Sequence, residues 1–125
     1  PSYPKYLQLY KDMSTTIASL QHDNGFWRVC LLAKETYESP ETSGTGFMTY
    51  GLAWGVNNGH LDKNTYGPVV KKGWKALVSA VQDDGKLGWV QPIGAAPDSV
   101  FESDSQLYGG GAFLLTATQM MEFED

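Results

Sequence analysis

Two copies of one segment, about 60 residues apart, constrain this chain more than any other feature. The first copy reads His22-Asp23-Asn24-Gly25-Phe26-Trp27, then Glu41-Thr42-Ser43-Gly44-Thr45-Gly46-Phe47-Met48. The second reads Gln82-Asp83-Asp84-Gly85-Lys86-Leu87-Gly88-Trp89, then Asp104-Ser105-Gln106-Leu107-Tyr108-Gly109 and on to Ala112-Phe113-Leu114. Gly25 and Gly85 lie 60 residues apart, Trp27 and Trp89 lie 62 apart, and Phe47 and Phe113 lie 66 apart. Short loop insertions account for the drift, so one supersecondary unit is used twice. Such a unit cannot bury its apolar faces alone and needs neighbours on both sides. Two units are too few to close a core.

Around the repeats the apolar periodicity is helical. Tyr6, Tyr10, Met13, Ile17 and Leu20 alternate spacings of four and three, which draws one stripe on a helix. Asp23-Asn24-Gly25 breaks that helix, with Gly25 suited to a left-handed turn. Trp27 to Leu32 reads as extended, and Pro40 stops regular structure. A second helix is expected from Thr42 to about Asn57, with Thr42 or Ser43 as its N-cap. Its glycines, Gly46, Gly51 and Gly55, each cost roughly 1 kcal/mol of helix propensity relative to Ala. With almost no charge on any face, this helix is expected to be buried on all sides, its glycines letting another backbone approach closely or leaving space for a ligand.

Tyr66, Val70, Trp74, Leu77 and Val81 mark a third helix over residues 64–81. Pro68 is tolerated best in a first turn, so the regular helix is expected to begin close to it. Residues 87–92 read as extended. Ser103 and Gln106 have capping-box spacing before a fourth helix, expected from about Asp104 to Met121. Amphipathic outer helices therefore alternate with uncharged inner ones: an all-α chain of four main helices with short extended loops.

Composition narrows the function classes. With 125 residues, 42% hydrophobic and 18% charged, the chain has the makings of one globular domain and not of a disordered segment. Aromatics at 13% favour a packed core or a cleft lined for a flat ligand. A net charge of −5, with no basic cluster beyond Lys71-Lys72, argues against nucleic acid and anionic membrane as partners. Cys30 is the sole cysteine, so no internal disulfide forms. No apolar run approaches the roughly 18–20 residues that span a bilayer. The start at Pro1, without Met, reads as a processed or excised segment, and the compartment stays open between cytoplasm and periplasm.

Several of these segments carry a family resemblance. Gly25-Phe26-Trp27-Arg28-Val29, Pro40-Glu41-Thr42-Ser43-Gly44-Thr45 and Thr49-Tyr50-Gly51-Leu52-Ala53-Trp54-Gly55 resemble the C-terminal part of unsaturated glycuronyl hydrolases. Asn57-Asn58-Gly59, Trp74-Lys75-Ala76-Leu77 and Asp84-Gly85-Lys86-Leu87-Gly88-Trp89-Val90-Gln91-Pro92-Ile93-Gly94 continue the match. The similarity runs from about Tyr6 to Met121 and points to the bacterial unsaturated rhamnogalacturonyl and glucuronyl hydrolases, glycoside hydrolase families 105 and 88. It implies a six-hairpin (α/α) toroid about three times this length, of which residues 1–125 form the last two hairpins, a single partial domain. The implied reaction removes a 4,5-unsaturated uronic acid from a pectin-derived oligosaccharide by hydrating its C4=C5 double bond. It needs no metal or cofactor. The catalytic aspartate lies upstream in the family, so no residue here inherits that role, and the isolated chain is expected to be inactive. The implied partners are the unsaturated oligosaccharide and the rest of the toroid, with self-association of the isolated piece.

Eight residues are candidates for substrate contact: Trp27, Arg28, Glu41, Thr42, Ser43, Trp89, Gln91 and Tyr108. Glu41 can orient a sugar hydroxyl, or can simply complement the dipole of the helix it precedes. Thr42 and Ser43 can likewise serve as caps. Trp27 and Trp89 can stack on sugar rings or plug the two loops. Arg28 can meet a uronate carboxylate or face solvent. His22 and His60 stand without an HxxxH or cysteine partner, which argues against a metal site. Two other readings compete: a non-catalytic helical glycan-binding or scaffold module, and another toroid enzyme such as an epimerase or terpenoid cyclase relative.

Overall fold

The computed structural model describes residues 2–33 and 35–123. It contains four helices among those residues: α1 Tyr3–Ser19, α2 Thr42–Asn57, α3 Lys63–Ser79 and α4 Leu107–Glu122. No strand forms. Two isolated antiparallel bridges, Trp27 with Glu41 and Val81 with Leu87, are what remains of the expected extended segments. Residues 29–32 make bends, because no neighbouring strand accepts their backbone groups.

α2 is the centre of the molecule. Gly46 packs on Ala112 of α4, where an added Cβ would lie 2.9 Å from that of Ala112. Thr116 Oγ1 of α4 donates to Gly46 O at 2.8 Å. On the opposite side Gly73 of α3 sits against Thr49, and an added Cβ would overlap its hydroxyl. α1 joins through Tyr10, whose hydroxyl donates to Gly51 O at 2.7 Å. Burial, assisted by the nearby Tyr66 hydroxyl, pushes the Tyr10 phenol above its ordinary value, so it remains a donor. Leu52, Ala53, Leu61, Val70 and Trp27 form the main buried cluster, with Tyr10, Ile17 and Leu20 packed on it. Only part of the α1 stripe is covered: Tyr6 and Met13 remain exposed.

Three helix starts differ from the expectation, each for a local reason. The N-cap of α2 is Glu41, not Thr42 or Ser43. Its longer side chain reaches Ser43 N and Gly44 N, while the Thr42 hydroxyl is drawn off to Gly88 O. α3 begins at Lys63, five residues before Pro68. Asp62 caps it by accepting from Thr65 N at 2.8 Å, and Gly67 has no Cβ to clash with the proline ring. α4 begins at Leu107, and the Ser103–Gln106 capping box does not form: Gln106 is the N-cap, without a side-chain bond. Asp104 O instead accepts from Val90 N at 3.0 Å, which holds that segment in the loop.

Candidate functional site

Both glycine–tryptophan loops converge on one end of α2, and hydroxyl and carboxylate groups there tie them down. In the first loop Gly25 adopts φ +88° and nests so tightly over Lys72 O of α3 that a Cβ would not fit. The chain then turns into Trp27, whose amide donates to Thr45 Oγ1 at 3.0 Å. That hydroxyl in turn donates to Glu41 O at 2.7 Å. The Trp27 ring points inward, 1% exposed, with its Nε1 donating to Ile17 O at 2.8 Å.

The second loop docks on the same helix end from the other side. Thr42 N donates to Trp89 O at 2.8 Å, and Thr42 Oγ1 to Gly88 O at 2.7 Å. Trp89 is held at φ +57°, the left-handed region that a bulky L-residue rarely enters. Such a conformation costs about 1–3 kcal/mol and persists only where its surroundings over-determine it. Here the two Thr42 bonds and the Val90–Asp104 bond do so. The Trp89 ring is half-buried and packs on Phe26, Ala76 and Ala80.

Glu41 links the two loops. It is 6% exposed. One carboxylate oxygen accepts from Ser43 N at 2.9 Å, Ser43 Oγ at 2.7 Å and Gln91 N at 3.1 Å. The other accepts from Gly44 N at 2.6 Å. Three of these four donors crowd one oxygen and one meets the other, so the carboxylate is engaged as a cap and a loop anchor. The Tyr108 hydroxyl at the start of α4 donates to Gln91 O, completing the closure around the 88–91 segment.

Seven of the eight candidate residues thus meet at the α2 N-terminus, but not all face outward. Trp27 is sealed in the core and offers no ring to a sugar. Arg28 follows Trp27 in the chain, and one of its guanidinium nitrogens donates to Glu38 O. Its Nε is buried without a hydrogen-bond partner. Glu41, Thr42 and Ser43 are buried and spent on hydrogen bonds. Trp89, Gln91 and Tyr108 are the half-buried groups at the surface of the cluster.

Thr45 was missed as a bridge to Trp27, although Thr42, Thr45 and Thr49 stand at helical spacing and all are fully buried. That hydroxyl stripe was the available signal. Among the described residues no group of three or more His, Cys, Asp or Glu is placed to hold a metal. Among the same residues no helix is long and apolar enough to cross a membrane.

Comparison with known proteins agrees with this architecture. The chain is 50% identical over 121 residues to the unsaturated 3S-rhamnoglycuronyl hydrolase of an Alteromonas species, covering 97% of this chain and 29% of that protein. The structure of a glycosyl hydrolase family 88 protein from Bacteroides vulgatus superposes with a TM-score of 0.93 at 38% identity, over 99% of this chain and 37% of that one. A protein described as a polysaccharide lyase gives a TM-score of 0.89 at 43% identity, over 96% of this chain and 35% of that one. The chain therefore spans about a third of the length of these relatives, and its all-α hairpin pair is part of a toroid. Residues 1–124 match Glycosyl Hydrolase Family 88, and the chain belongs to that family.

Proposed function

We propose that this chain is the C-terminal third of a hydrolase acting on oligosaccharides that end in a 4,5-unsaturated uronic acid. Its substrates are the rhamnose-containing, pectin-type products of polysaccharide cleavage. The reaction begins with protonation at C4 of the C4=C5 vinyl ether. Water adds at C5, the resulting hemiketal opens, and the remainder of the sugar chain departs from C1. In this reading the chain supplies a wall and no proton donor. The observation that carries it is the use of Glu41, the one carboxylate among the candidate groups, as a buried helix cap and loop anchor with four hydrogen bonds. Trp89, Gln91 and Tyr108 contact the sugar, and Glu41, Thr42 and Ser43 hold them in place from behind.

The test follows the ultraviolet absorbance of the double bond. An unsaturated rhamnogalacturonan disaccharide and an unsaturated 3S-rhamnoglycuronyl oligosaccharide are each incubated with the isolated 125-residue chain and with a longer polypeptide that includes it. The longer polypeptide consumes the signal and the isolated chain does not. Consumption at an enzymatic rate by the isolated chain would overturn the division of labour. A second reading, a lyase, draws on the 43% identity to the protein described as one. It predicts the opposite sign, a rise in absorbance from an uncut polymer.

The isolated chain also self-associates through its apolar edges. Tyr6, Met13 and Phe47 are exposed on one side and Leu107 and Leu114 on the other, more than soluble monomers ordinarily leave open. A monomer in sedimentation that binds no hydrophobic dye would instead support a self-contained glycan-binding module.

A further inference from the structure

The loop between α3 and α4 carries a stretch whose chemistry its first-repeat counterpart does not share. Beyond Trp89 it reads Pro92-Ile93-Gly94-Ala95-Ala96-Pro97, and all six residues are exposed. At the same distance beyond Trp27 the first loop reaches Lys34 and Glu35. None of the six side chains can donate or accept a hydrogen bond, and the two prolines lack an amide N–H as well. A single exposed aliphatic residue is ordinary. An exposed run of several apolar residues is unfavourable unless it serves a function.

Both ends of the stretch are clamped. On one side Gln91 N donates to Glu41 Oε1 at 3.1 Å, and Gln91 O accepts from the Tyr108 hydroxyl. On the other, Val100 is buried at 1% exposure, and Phe101 N donates to Asp104 Oδ2 at 2.9 Å. Pro92 and Pro97 fix φ within the loop. Ile93, 85% exposed, is therefore presented on a pre-organised segment that loses little conformational freedom when something binds.

We propose that Ile93 is a specificity-determining contact for the sugar that departs from C1, and that it selects a 6-deoxyhexose there. The inference rests on the proposed function and names the part of the substrate that this loop reads. The uronic acid carries a carboxylate and hydroxyls that need polar partners, which the side chains of residues 92–97 lack. Gln91 and Tyr108 supply such groups one step earlier in the site. From Gln91 to Ile93 the chain reaches at most about 7 Å, so the two residues serve adjacent sugars. A C6 methyl group buries against Ile93 without giving up any hydrogen bond. A hydroxymethyl group in its place loses water and finds no side-chain partner.

The test uses a longer polypeptide that includes this chain, and two disaccharides with the unsaturated uronic acid at the non-reducing end. One has a 6-deoxyhexose as the departing sugar; the other is identical except for a hydroxymethyl group in place of that methyl. The unaltered polypeptide prefers the 6-deoxy substrate about tenfold or more in kcat/KM, within the range that one apolar contact supplies. Ile93→Ser removes that preference through KM on the 6-deoxy substrate and leaves the other substrate nearly unchanged. Ile93→Val retains it. The melting temperature is the same in all three, because the side chain is exposed. Consumption of both disaccharides at equal rates by the unaltered polypeptide overturns the role of Ile93 while the proposed function stands. So does a preference that survives Ile93→Ser, or an equal loss on both substrates with a lowered melting temperature, which makes the loop a packing surface. Consumption of neither disaccharide overturns the proposed function, and this inference falls with it.

Discussion

Glu41 caps a helix, anchors a loop and bridges two repeats with one carboxylate. Removing it orphans the buried Ser43 N and the part-buried Gly44 N and Gln91 N. Glu41→Ala should therefore cost about 2–3 kcal/mol, combining a lost cap with unsatisfied donors, read by urea denaturation. Glu41→Gln, which keeps one acceptor, should cost less. In both, the Gln91 amide should lose protection from hydrogen exchange while the Val70 amide in the core keeps it. The two repeat tryptophans should separate cleanly. Trp27→Ala opens a cavity in the core and should cost about 3–5 kcal/mol. Trp89→Ala gives up a half-buried ring and should cost less stability. In a polypeptide that turns over substrate, it should raise KM more than Trp27→Phe does.

At the scale of an element, the glycines of the helices fall into two groups with opposite expected responses. Gly46→Ala should destabilise by about 1–3 kcal/mol, because the new methyl group is forced into Ala112. Gly73→Ala should do the same against Thr49. Gly51→Ala and Gly110→Ala meet no neighbour and should stabilise the chain by about 0.5–1 kcal/mol through helix propensity alone. Thermal melts of the four variants check both signs.

α3 carries a pH dependence at its start. The bond from the Thr65 hydroxyl, joined by that from its amide, holds the exposed Asp62 carboxyl below its ordinary value of 3.8. A carboxylate lowered in the folded state contributes stability above its unfolded value and loses it as pH falls through the folded one. Acid should therefore fray the first turn of α3 as pH falls below the ordinary carboxylate range. Asp62→Asn should flatten that dependence, as read from exchange at the Thr65 amide.

For the whole molecule, the repeat in the sequence determined the architecture: two turn-broken pairs of helices, outer ones amphipathic and inner ones glycine-rich. Apolar periodicity and breakers are local signals, and α2 falls on the residues expected of it. The need for neighbours was legible for the same reason, since a stripe with no partner shows in the pattern itself. Helix starts were less legible. Asp62 and Glu41 won their caps through competition among nearby donors, and α4 began late because Asp104 was taken by Val90. Tertiary structure alone decided how the two tryptophans differ. Equivalent in sequence, Trp27 is driven into the core by the Thr45 and Ile17 bonds, while Trp89 stays half-buried on a separate cluster, its left-handed backbone held by Thr42. It also decided that Glu41 ties the two loops together, because the donor from Gln91 arrives from 50 residues away. A local pattern can announce a helix, a turn or a repeat; which way a side chain faces, and whether a carboxylate is free, depends on groups that only folding brings within hydrogen-bonding distance.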